Sequence, residues 1–298
     1  MFDIRKYVKK RDIRNKLRDA ASFLPDPLYL RLYYFAMNGH WLHLRNPKGY
    51  TEKLQWMKLH DQHPEYTQMV DKIAVRQIVE QRIGPGYSFN LLGQWKSFDE
   101  IDFDTLPNQF VLKCNHDSAS TTVIRDKSEL TPSKKVELRD MYSKRLAYDF
   151  SKAGREYPYK NVVPCILAEE YMEDPDNPNE SIRDYKFFCF DGVPTIMFVA
   201  TDRSTDCKFD FFDMEFNHLD IVNIHPNAGK PIPKPKAFDE MKELAAKLSA
   251  GIQAVRVDLY EIGGRVYFGE YTFFHGGGFV PFEPEEWERR LGDMIVIK

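Results

Sequence analysis

The sequence predicts a mixed α+β fold, because helical patterns occupy roughly the first 80 residues and strand patterns dominate the rest. Strand signals begin at Tyr87, and residues 255–272 have the apolar flanks and central glycines of a β-hairpin. The 298 residues suffice for one large domain or two medium ones. A composition of 43% hydrophobic and 14% aromatic residues suits a packed globular protein. We therefore expect a helical N-terminal region followed by a larger region built on strands.

Three helices are predicted in the N-terminal region. An apolar block at residues 28–37 ends at the Asn-Gly of residues 38–39, which is a typical helix stop. A second helix begins near Thr51, whose hydroxyl would serve as its N-cap. A third opens at residues 71–72 and ends at the Gly-Pro-Gly of residues 84–86.

Strands and helices alternate in the remainder of the chain. The predicted elements are, in order, a buried strand at residues 110–114, a helix from Thr131-Pro132 towards residue 150, a strand at 162–172, a hairpin at 184–200 with its turn at Asp191-Gly192, and a helix from residue 238 after the proline-rich connector 231–235. Three of these strands carry charged residues: Lys113, the pair Glu169 and Glu170, and the pair Asp184 and Lys186.

These charged positions are consistent with more than one role. A strand-end lysine beside a hydroxyl-rich loop can hold phosphate oxygens, or it can be an ordinary edge lysine. Acids at a strand end can accept hydrogen bonds from ribose hydroxyls or from an adenine amino group. Each signal is weak when it is taken alone.

The C-terminal hairpin carries acids where a core strand usually carries none. Arg256 and Asp258 share one face of its first strand, and Glu270 and Thr272 share one face of its second. Two carboxylates and a neutral oxygen ligand suit a hard cation such as Mg²⁺. The alternative is a surface hairpin with solvated acids, which the flanking apolar residues disfavour.

The loop of this hairpin decides whether the two carboxylates meet. A two-residue turn at Gly263-Gly264 would pair Asp258 with Gly269 and would send Glu270 to the opposite face. A loop of three or five residues would put both carboxylates on one face. We expect the odd-numbered loop.

Charge and cysteine content restrict the partners and the compartment. The net charge of −3 gives no general reason to expect nucleic acid. Residues 1–18 hold eight lysines and arginines against two aspartates, so they form either a basic helix on an anionic membrane surface or, more commonly, a solvated helix. No segment has the pattern of a signal peptide or of a membrane span. The four cysteines are scattered, which predicts buried thiols in a reducing cytosol.

Taken in this order, the motifs resemble the ATP-grasp superfamily, and within it the TupA-like ATP-grasp family linked to bacterial surface-polymer biosynthesis. The segments that carry the resemblance are Leu44–Pro47 with Thr51–Trp56, Asp71–Arg76, Phe110–His116, Ala168–Tyr171, Asp184–Gly192 and Val255–Gly278. The ordered set is specific although no single segment is, and it spans roughly residues 40 to 298.

The resemblance implies that two α+β subdomains clasp ATP. A helical N-terminal region would cover residues 1–70 and an ATP-grasp domain residues 71–298. Within that domain, residues 110–170 would form roughly the small nucleotide-clamping subdomain, and residues 171–298 the larger subdomain that carries the metal and catalytic residues.

The resemblance also implies roles residue by residue. The nucleotide-binding residues would be Lys72, Lys113, Glu169, Glu170, Tyr171, Asp184 and Lys186. The ligands of Mg²⁺ would be Asp258, Glu270 and Thr272. Arg256 and Lys113 would be the catalytic cations, and His275, Gly276, Gly277 and Gly278 would form the substrate-side loop.

Two positions depart from the superfamily pattern. Thr272 stands where asparagine is frequent, and the loop at residues 117–120 has no glycine, so that Asp117 would repel phosphate unless its side chain is turned away.

The resemblance implies an ATP-dependent carboxylate–amine ligase that acts through an acylphosphate. Its expected substrates are a uronic acid of a bacterial surface polysaccharide and an amino acid or small amine. The expected location is the cytoplasm, with peripheral contact at the inner face of the membrane through residues 5–18. The alternatives are a kinase-like phosphotransferase and a non-catalytic nucleotide-binding protein of a polysaccharide-assembly complex.

Overall fold

The computed structural model describes residues 23–118, 120–176, 178, 181–203 and 205–297. The basic segment at residues 5–18 lies outside these described residues. None of the described helices is long and apolar enough to cross a membrane.

Helices precede the sheets, as the sequence predicted. They are α1 (Asp26–Asn38), α2 (Tyr50–His60), α3 (Glu65–Val70) and α4 (Val75–Ile83). Gly39 ends α1 in a left-handed conformation with φ of 78°, which confirms the predicted stop. The expected N-cap of α2 is wrong. Gly49 occupies that position, and the amide and hydroxyl of Thr51 both donate to Glu288 Oε1 at 2.6 Å, which ties α2 to the C-terminal helix.

A four-stranded antiparallel sheet follows, in the order β1-β4-β2-β3. Its strands are β1 (Leu91–Trp95), β2 (Phe110–Cys114), β3 (Thr122–Ile124) and β4 (Ile166–Glu170). Helix α5 (Pro132–Leu146) packs against this sheet, and the Thr131 hydroxyl accepts from the Lys134 amide at 3.2 Å as the predicted N-cap. A short helix, α6 (Ser151–Gly154), leads on towards β4. This sheet has its own hydrophobic core.

A six-stranded antiparallel sheet makes up most of the second half, in the order β10-β9-β5-β6-β7-β8. Its strands are β5 (Asp184–Phe190), β6 (Val193–Thr201), β7 (Lys208–Phe212), β8 (His218–Leu219), β9 (Ala254–Ile262) and β10 (Arg265–Thr272). Helix α7 (Phe238–Ser249), which the sequence predicted, covers one face of the sheet with its buried apolar residues, and α8 (Glu285–Asp293) packs on α2. The core of this sheet also takes in α2, α3 and α4.

The β9–β10 hairpin brings Asp258 and Glu270 opposite each other, but not through the expected loop. The loop has two residues, Gly263 and Gly264, and both have positive φ, as a type I′ turn requires. Gly269 is an extra, bulged residue between the pairs Phe268–Leu259 and Glu270–Asp258. The bulge moves the register by one residue, so the predicted shared face is found although the predicted loop length is wrong.

Substitution of Gly269 tests how tightly this bulge is packed. A Cβ there would lie 2.9 Å from the Tyr260 ring and 3.0 Å from the Asp258 carbonyl oxygen. We expect Gly269→Ala to destabilise the protein by about 1–3 kcal/mol, since a packed site must shift to admit the methyl group. Chemical denaturation measures the loss. Unchanged stability would mean that the bulge accommodates a side chain.

Candidate functional site

A cavity of about 550 Å³ lies between the two sheets. Its volume is within the usual range for a small-molecule site. Lysines and arginines from both sides line it, namely Lys72, Arg76, Lys113, Arg125, Lys186 and Arg203. Acids are interspersed among them, namely Asp117, Glu169, Glu170, Glu173 and Glu270. The predicted nucleotide-binding residues thus converge here, except for Asp184, which is fully buried behind Lys186.

Lys72 and Lys113 lie on the four-stranded-sheet side of the cavity. The Lys113 ammonium forms an ion pair with Glu169 Oε2 at 2.5 Å, and Arg76 lies 3.8 Å from the other oxygen of that carboxylate. The Lys72 ammonium donates instead to the backbone carbonyl of Asp117. Burial lowers the pKa of Lys72 below its ordinary value. An anionic ligand in the cavity would therefore stabilise the charged form of Lys72.

The glycine-free loop after β2 buries the side chain of its aspartate. The Asp117 side chain is almost fully buried. One of its oxygens accepts from the Ser120 hydroxyl, and Arg145 lies 3.6 Å from the other. The Ser120 oxygen in turn accepts from the Cys114 amide at 2.8 Å. The repulsion expected between Asp117 and a phosphate is thereby reduced.

The end of β4 forms another wall. Glu170 Oε1 accepts from the Asn90 amide at 2.8 Å, so this carboxylate is oriented by the backbone before β1. The Tyr171 hydroxyl donates to Glu173 at 2.5 Å, and Arg125 lies 5.6 Å from the centre of the Tyr171 ring. This wall therefore combines acceptors with an aromatic face.

On the other side of the cavity, a buried charge network joins β5 to β9. Asp258 accepts from Arg256 twice, Nε to Oδ1 and Nη2 to Oδ2, each at 2.7 Å. The Lys186 ammonium also donates to Asp258 Oδ2 and lies 3.5 Å from Asp184. Burial acts to raise the pKa of Asp258, but Arg256 and Lys186 hold it below its ordinary value. Asp258 is therefore a carboxylate in the folded protein.

Sequence reasoning missed Arg203, which forms an ion pair with Asp184. The attraction of Asp184 raises the pKa of the Arg203 guanidinium. A signal was available in the register, since Asp184 pairs with Ala200 and Arg203 follows three residues later. A hairpin predicted over 184–200 therefore places cations just after residue 200 beside that aspartate.

The predicted metal ligands differ in how well they suit Mg²⁺. Glu270 is 36% exposed, lines the cavity and lies 3.6 Å from Arg256, so its carboxylate can accept a cation. Both oxygens of Asp258 already accept hydrogen bonds, and the Thr272 hydroxyl accepts from Arg256 at 2.8 Å. The described residues contain no cluster of three or more histidines, cysteines or acids that could hold a metal alone. Since Mg²⁺ usually keeps waters and phosphate oxygens, one or two carboxylates fit it.

His275 is a buried support for Arg256. Arg256 Nη1 donates to His275 Nδ1 at 2.6 Å, because a guanidinium has no acceptor. His275 Nε2 therefore carries the hydrogen and donates to Asn223 Oδ1 at 2.8 Å. Asn223 is fixed by donating to the carbonyls of Val280 and Pro281. Burial and the nearby Arg256 hold the pKa of His275 well below its ordinary value, so the ring is neutral.

The glycines after His275 form a tight turn, and two of its carbonyls accept hydrogen bonds from side chains of α2. Gly276 and Gly277 have φ of 59° and 64°, which favour glycine. Gln55 donates to the Gly278 carbonyl at 2.5 Å, and the buried Lys58 donates to the Gly277 carbonyl at 2.7 Å. Sequence reasoning missed these two supports, because residues of α2 gave no local sign of contact with a loop more than 200 positions later.

Asn223→Asp tests the neutral state of His275. A carboxylate beside Nε2 should raise the pKa of His275 by at least about one unit, and the protonated ring can no longer accept from Arg256. The imidazole titration, followed by NMR, measures the shift. Asn217→Asp makes the same charge change in an exposed turn and should leave that titration unchanged. Equal titrations in the wild type and Asn223→Asp would contradict the assigned hydrogen-bond network.

Known proteins give an independent comparison. No curated protein matches the chain. Among solved structures, D-alanine–D-alanine ligase from Bacillus anthracis complexed with ATP has 13% identity and a TM-score of 0.38, with 69% of this chain and 53% of that chain covered. D-alanine–D-alanine ligase from Helicobacter pylori has 12% identity and a TM-score of 0.43, with 78% of this chain and 59% of that chain covered. The ATP-grasp ligase PsnB, complexed with a phosphomimetic variant of minimal precursor, Mg and ADP, has 10% identity and a TM-score of 0.43. The comparison covers 82% of this chain and 64% of that chain.

The chain thus spans less than two thirds of the length of these solved structures. A family model described as TupA-like ATPgrasp matches residues 52–296, which cover most of the chain and all ten strands described above. The chain belongs to the TupA-like ATP-grasp family.

Proposed function

We propose that this protein is an ATP-dependent carboxylate–amine ligase. The observation that carries the proposal is the cavity between the two sheets, which is lined by six cationic side chains and by Glu270. The buried Arg256–Asp258 pair lies next to Glu270, with Arg256 3.6 Å from its carboxylate. Family membership supports the binding of ATP in that cavity. Lys72, Lys113 and Lys186 are the proposed phosphate contacts, and Glu169, Glu170 and Tyr171 are proposed to serve the adenosine side. Asp184, which is buried, is proposed to act through Lys186 and Arg203 and not by direct contact.

The proposed reaction has two steps. A substrate carboxylate oxygen attacks the γ-phosphorus of ATP. The bond between that phosphorus and the bridging oxygen of the β-phosphate breaks, ADP departs, and an acylphosphate is formed. An amine then attacks the acyl carbon, and the bond between that carbon and the phosphate oxygen breaks. Phosphate leaves with the electron pair of this bond, and the nitrogen loses a proton as the amide forms. At the first step the protein must chiefly neutralise and orient the phosphoryl group, which the lysines can do.

Arg256 is the proposed contact to the reacting group. Four of its five N–H groups already donate to Asp258, Thr272 and His275. One N–H on Nη1 therefore has no acceptor among the described residues, and it is available to a developing oxyanion. The proposed substrate-side loop is His275 to Gly278, in which His275 holds Arg256 and the glycines permit close approach of the substrate.

Glu270 is the proposed first protein ligand of Mg²⁺, with Asp258 and Thr272 behind it. The ion would supply charge neutralisation at the transferred phosphoryl group. Asp258 must share its oxygens with Arg256 and Lys186 to take part.

The proposed carboxylate is a uronic acid of a bacterial surface polysaccharide, and the proposed nucleophile is an amino acid or small amine. This substrate class rests on the family resemblance. The proposed location is cytoplasmic, with residues 5–18 in contact with the inner face of the membrane because of their basic character. A kinase-like phosphotransferase would give a phosphoester instead of an amide, and a non-catalytic nucleotide-binding protein would bind Mg–ATP without turnover.

Oxygen tracing tests the reaction. Phosphate release from ATP is first screened across uronic acids and amines, with Glu270→Gln as the background control. The active acid is then labelled with heavy oxygen in its carboxylate. We expect one label to pass to phosphate for each amide that mass spectrometry detects. Amide accumulation with unlabelled phosphate would exclude the acylphosphate route.

Glu270 and Asp258 should respond differently to neutralisation. Glu270→Gln changes a partly exposed group and should abolish turnover with little loss of stability. Asp258→Asn leaves Arg256 and Lys186 buried without their shared carboxylate, which should cost about 3–5 kcal/mol of stability. Thermal unfolding and ATP turnover, measured on both variants, check the difference. Wild-type turnover in Glu270→Gln would remove this residue from the metal site.

The pKa of Lys72 predicts how ATP affinity depends on pH. Burial lowers this pKa in the free protein, and bound phosphates favour the charged form, so ATP binding should take up a proton. The affinity should fall as pH rises through the lowered pKa, by up to about tenfold per pH unit. Calorimetry in buffers of different ionisation enthalpy measures both effects. Lys72→Met should remove the pH dependence, and a wild-type affinity that stays constant at alkaline pH would contradict the assignment.

A further inference from the structure

Helix α1 presents an apolar face to solvent. Leu28, Leu32 and Phe35 lie at helical spacing on this face and are 46%, 39% and 41% exposed. Trp41, which is 54% exposed, stacks on Phe35 with ring centres 4.4 Å apart. These four residues are called the α1 surface below. A surface helix normally carries polar groups at such positions, so this face indicates a binding partner.

The opposite face of the same helix is firmly packed. Its buried residues are Tyr29, Leu30, Tyr33, Tyr34 and Met37. Tyr33 meets the ring of Phe279 edge-on at 4.3 Å, and the Tyr34 hydroxyl lies 3.0 Å from that of Thr51. The α1 surface therefore belongs to a helix that is fixed to the body of the protein.

Cations adjoin the α1 surface. Arg31 lies in the same helical stripe, three residues after Leu28 and four before Phe35. With Arg45 and Lys48 it lines a second cavity, of about 410 Å³. Within the described part of the chain, none of these three cations lies in an ion pair with an acid. They are therefore available to an anionic partner.

The acid in this second cavity does not cancel those cations. Glu52 accepts from the backbone amides of His43, Lys48 and Gly49 and from the His43 ring, at 2.8 to 3.4 Å. Its charge is thus compensated by the loop that it organises. Asp26, the acid of α1, lies 3.3 Å from Arg155.

We propose that the α1 surface, with Arg31, Arg45 and Lys48, docks the protein on an anionic lipid bilayer. Apolar and aromatic side chains beside basic ones are the pattern of helices that lie in the membrane interface. A second copy of the chain is disfavoured, because a two-fold interface through this surface would bring both copies of the basic cluster into one interface. This surface is separate from the cavity between the sheets and does not depend on the reaction proposed there.

Vesicle binding by the full-length protein tests the proposal. Phosphatidylcholine vesicles with and without phosphatidylglycerol are compared by co-sedimentation, and tryptophan fluorescence is recorded. We expect binding to the anionic vesicles only, weakening as salt screens the cations, with a blue shift of the emission. Trp41→Phe should still bind but should lose most of the blue shift. Absence of binding to anionic vesicles at low salt would overturn the proposal.

Matched pairs of variants test whether the α1 surface, and not another part of the protein, binds the vesicles. Arg45→Glu with Lys48→Glu should weaken binding by more than about 25-fold, from about fivefold for each basic residue. Lys230→Glu with Lys236→Glu makes the same charge change elsewhere and should have a smaller effect. Leu32→Asp should also weaken binding, whereas Val136→Asp, at an exposed position of α5, is its control.

Two outcomes would show that the α1 surface does not dock on a membrane. Binding that survives Leu32→Asp and the Arg45–Lys48 reversal, in proteins that unfold at the wild-type temperature, would mean that another part of the chain meets the membrane. A dimer in solution that Leu32→Asp separates into monomers would mean that a second copy covers the surface. Either outcome overturns the proposal.

Discussion

The architecture of the site depends on one buried carboxylate. Asp258 is inaccessible to solvent, and it remains charged because Arg256 holds it in a two-point ion pair while Lys186 approaches from the neighbouring strand. A buried charge is tolerated only when its partners are fixed. The same pair fixes the guanidinium, and two of its three remaining N–H groups then donate to Thr272 and His275. Each of the other groups around Arg256 therefore has its place set by this pair.

The chain maintains this arrangement through contacts distant in sequence. His275 must be neutral to accept from Arg256, and the amide oxygen of Asn223 suits a neutral ring, whereas a carboxylate would favour the protonated one. The carbonyls of Val280 and Pro281 orient that amide. The hydrogen-bond chain thus ends on backbone that follows the glycine turn, so the turn and the guanidinium are positioned together.

The sequence predicted the elements better than it predicted their junctions. Strand patterns placed Lys113, Glu169 and Lys186 correctly in β2, β4 and β5, because alternation and polar strand ends are local signals. The meeting of Asp258 and Glu270 was predicted for the wrong reason, since a bulge at Gly269 and not the loop sets the register. A single strand glycine suggests a bulge but does not show where the partner strand adjusts. The contacts of Asn223 and Lys58 are determined only by the tertiary fold, whereas Arg203 could have been found from the predicted hairpin.

Charge pairing within the cavity bears on how a polyanion would enter it. Lys113 is paired with Glu169, Lys186 with Asp258, and Arg203 with Asp184, so each of these cations is held in place before any ligand arrives. Fixed, partnered cations lose little side-chain entropy when they turn to a phosphate, but each must give up part of an existing ion pair. Lys72 differs, because in the described part of the chain it donates to a carbonyl and no carboxylate lies within ion-pair distance of it. Burial already disfavours the charged form of Lys72, so an incoming phosphate would stabilise that charged form more than it would stabilise a cation that is already paired. Lys72 is therefore the cation at which the cavity can discriminate between an anionic and a neutral ligand at the least cost to its own ion pairs.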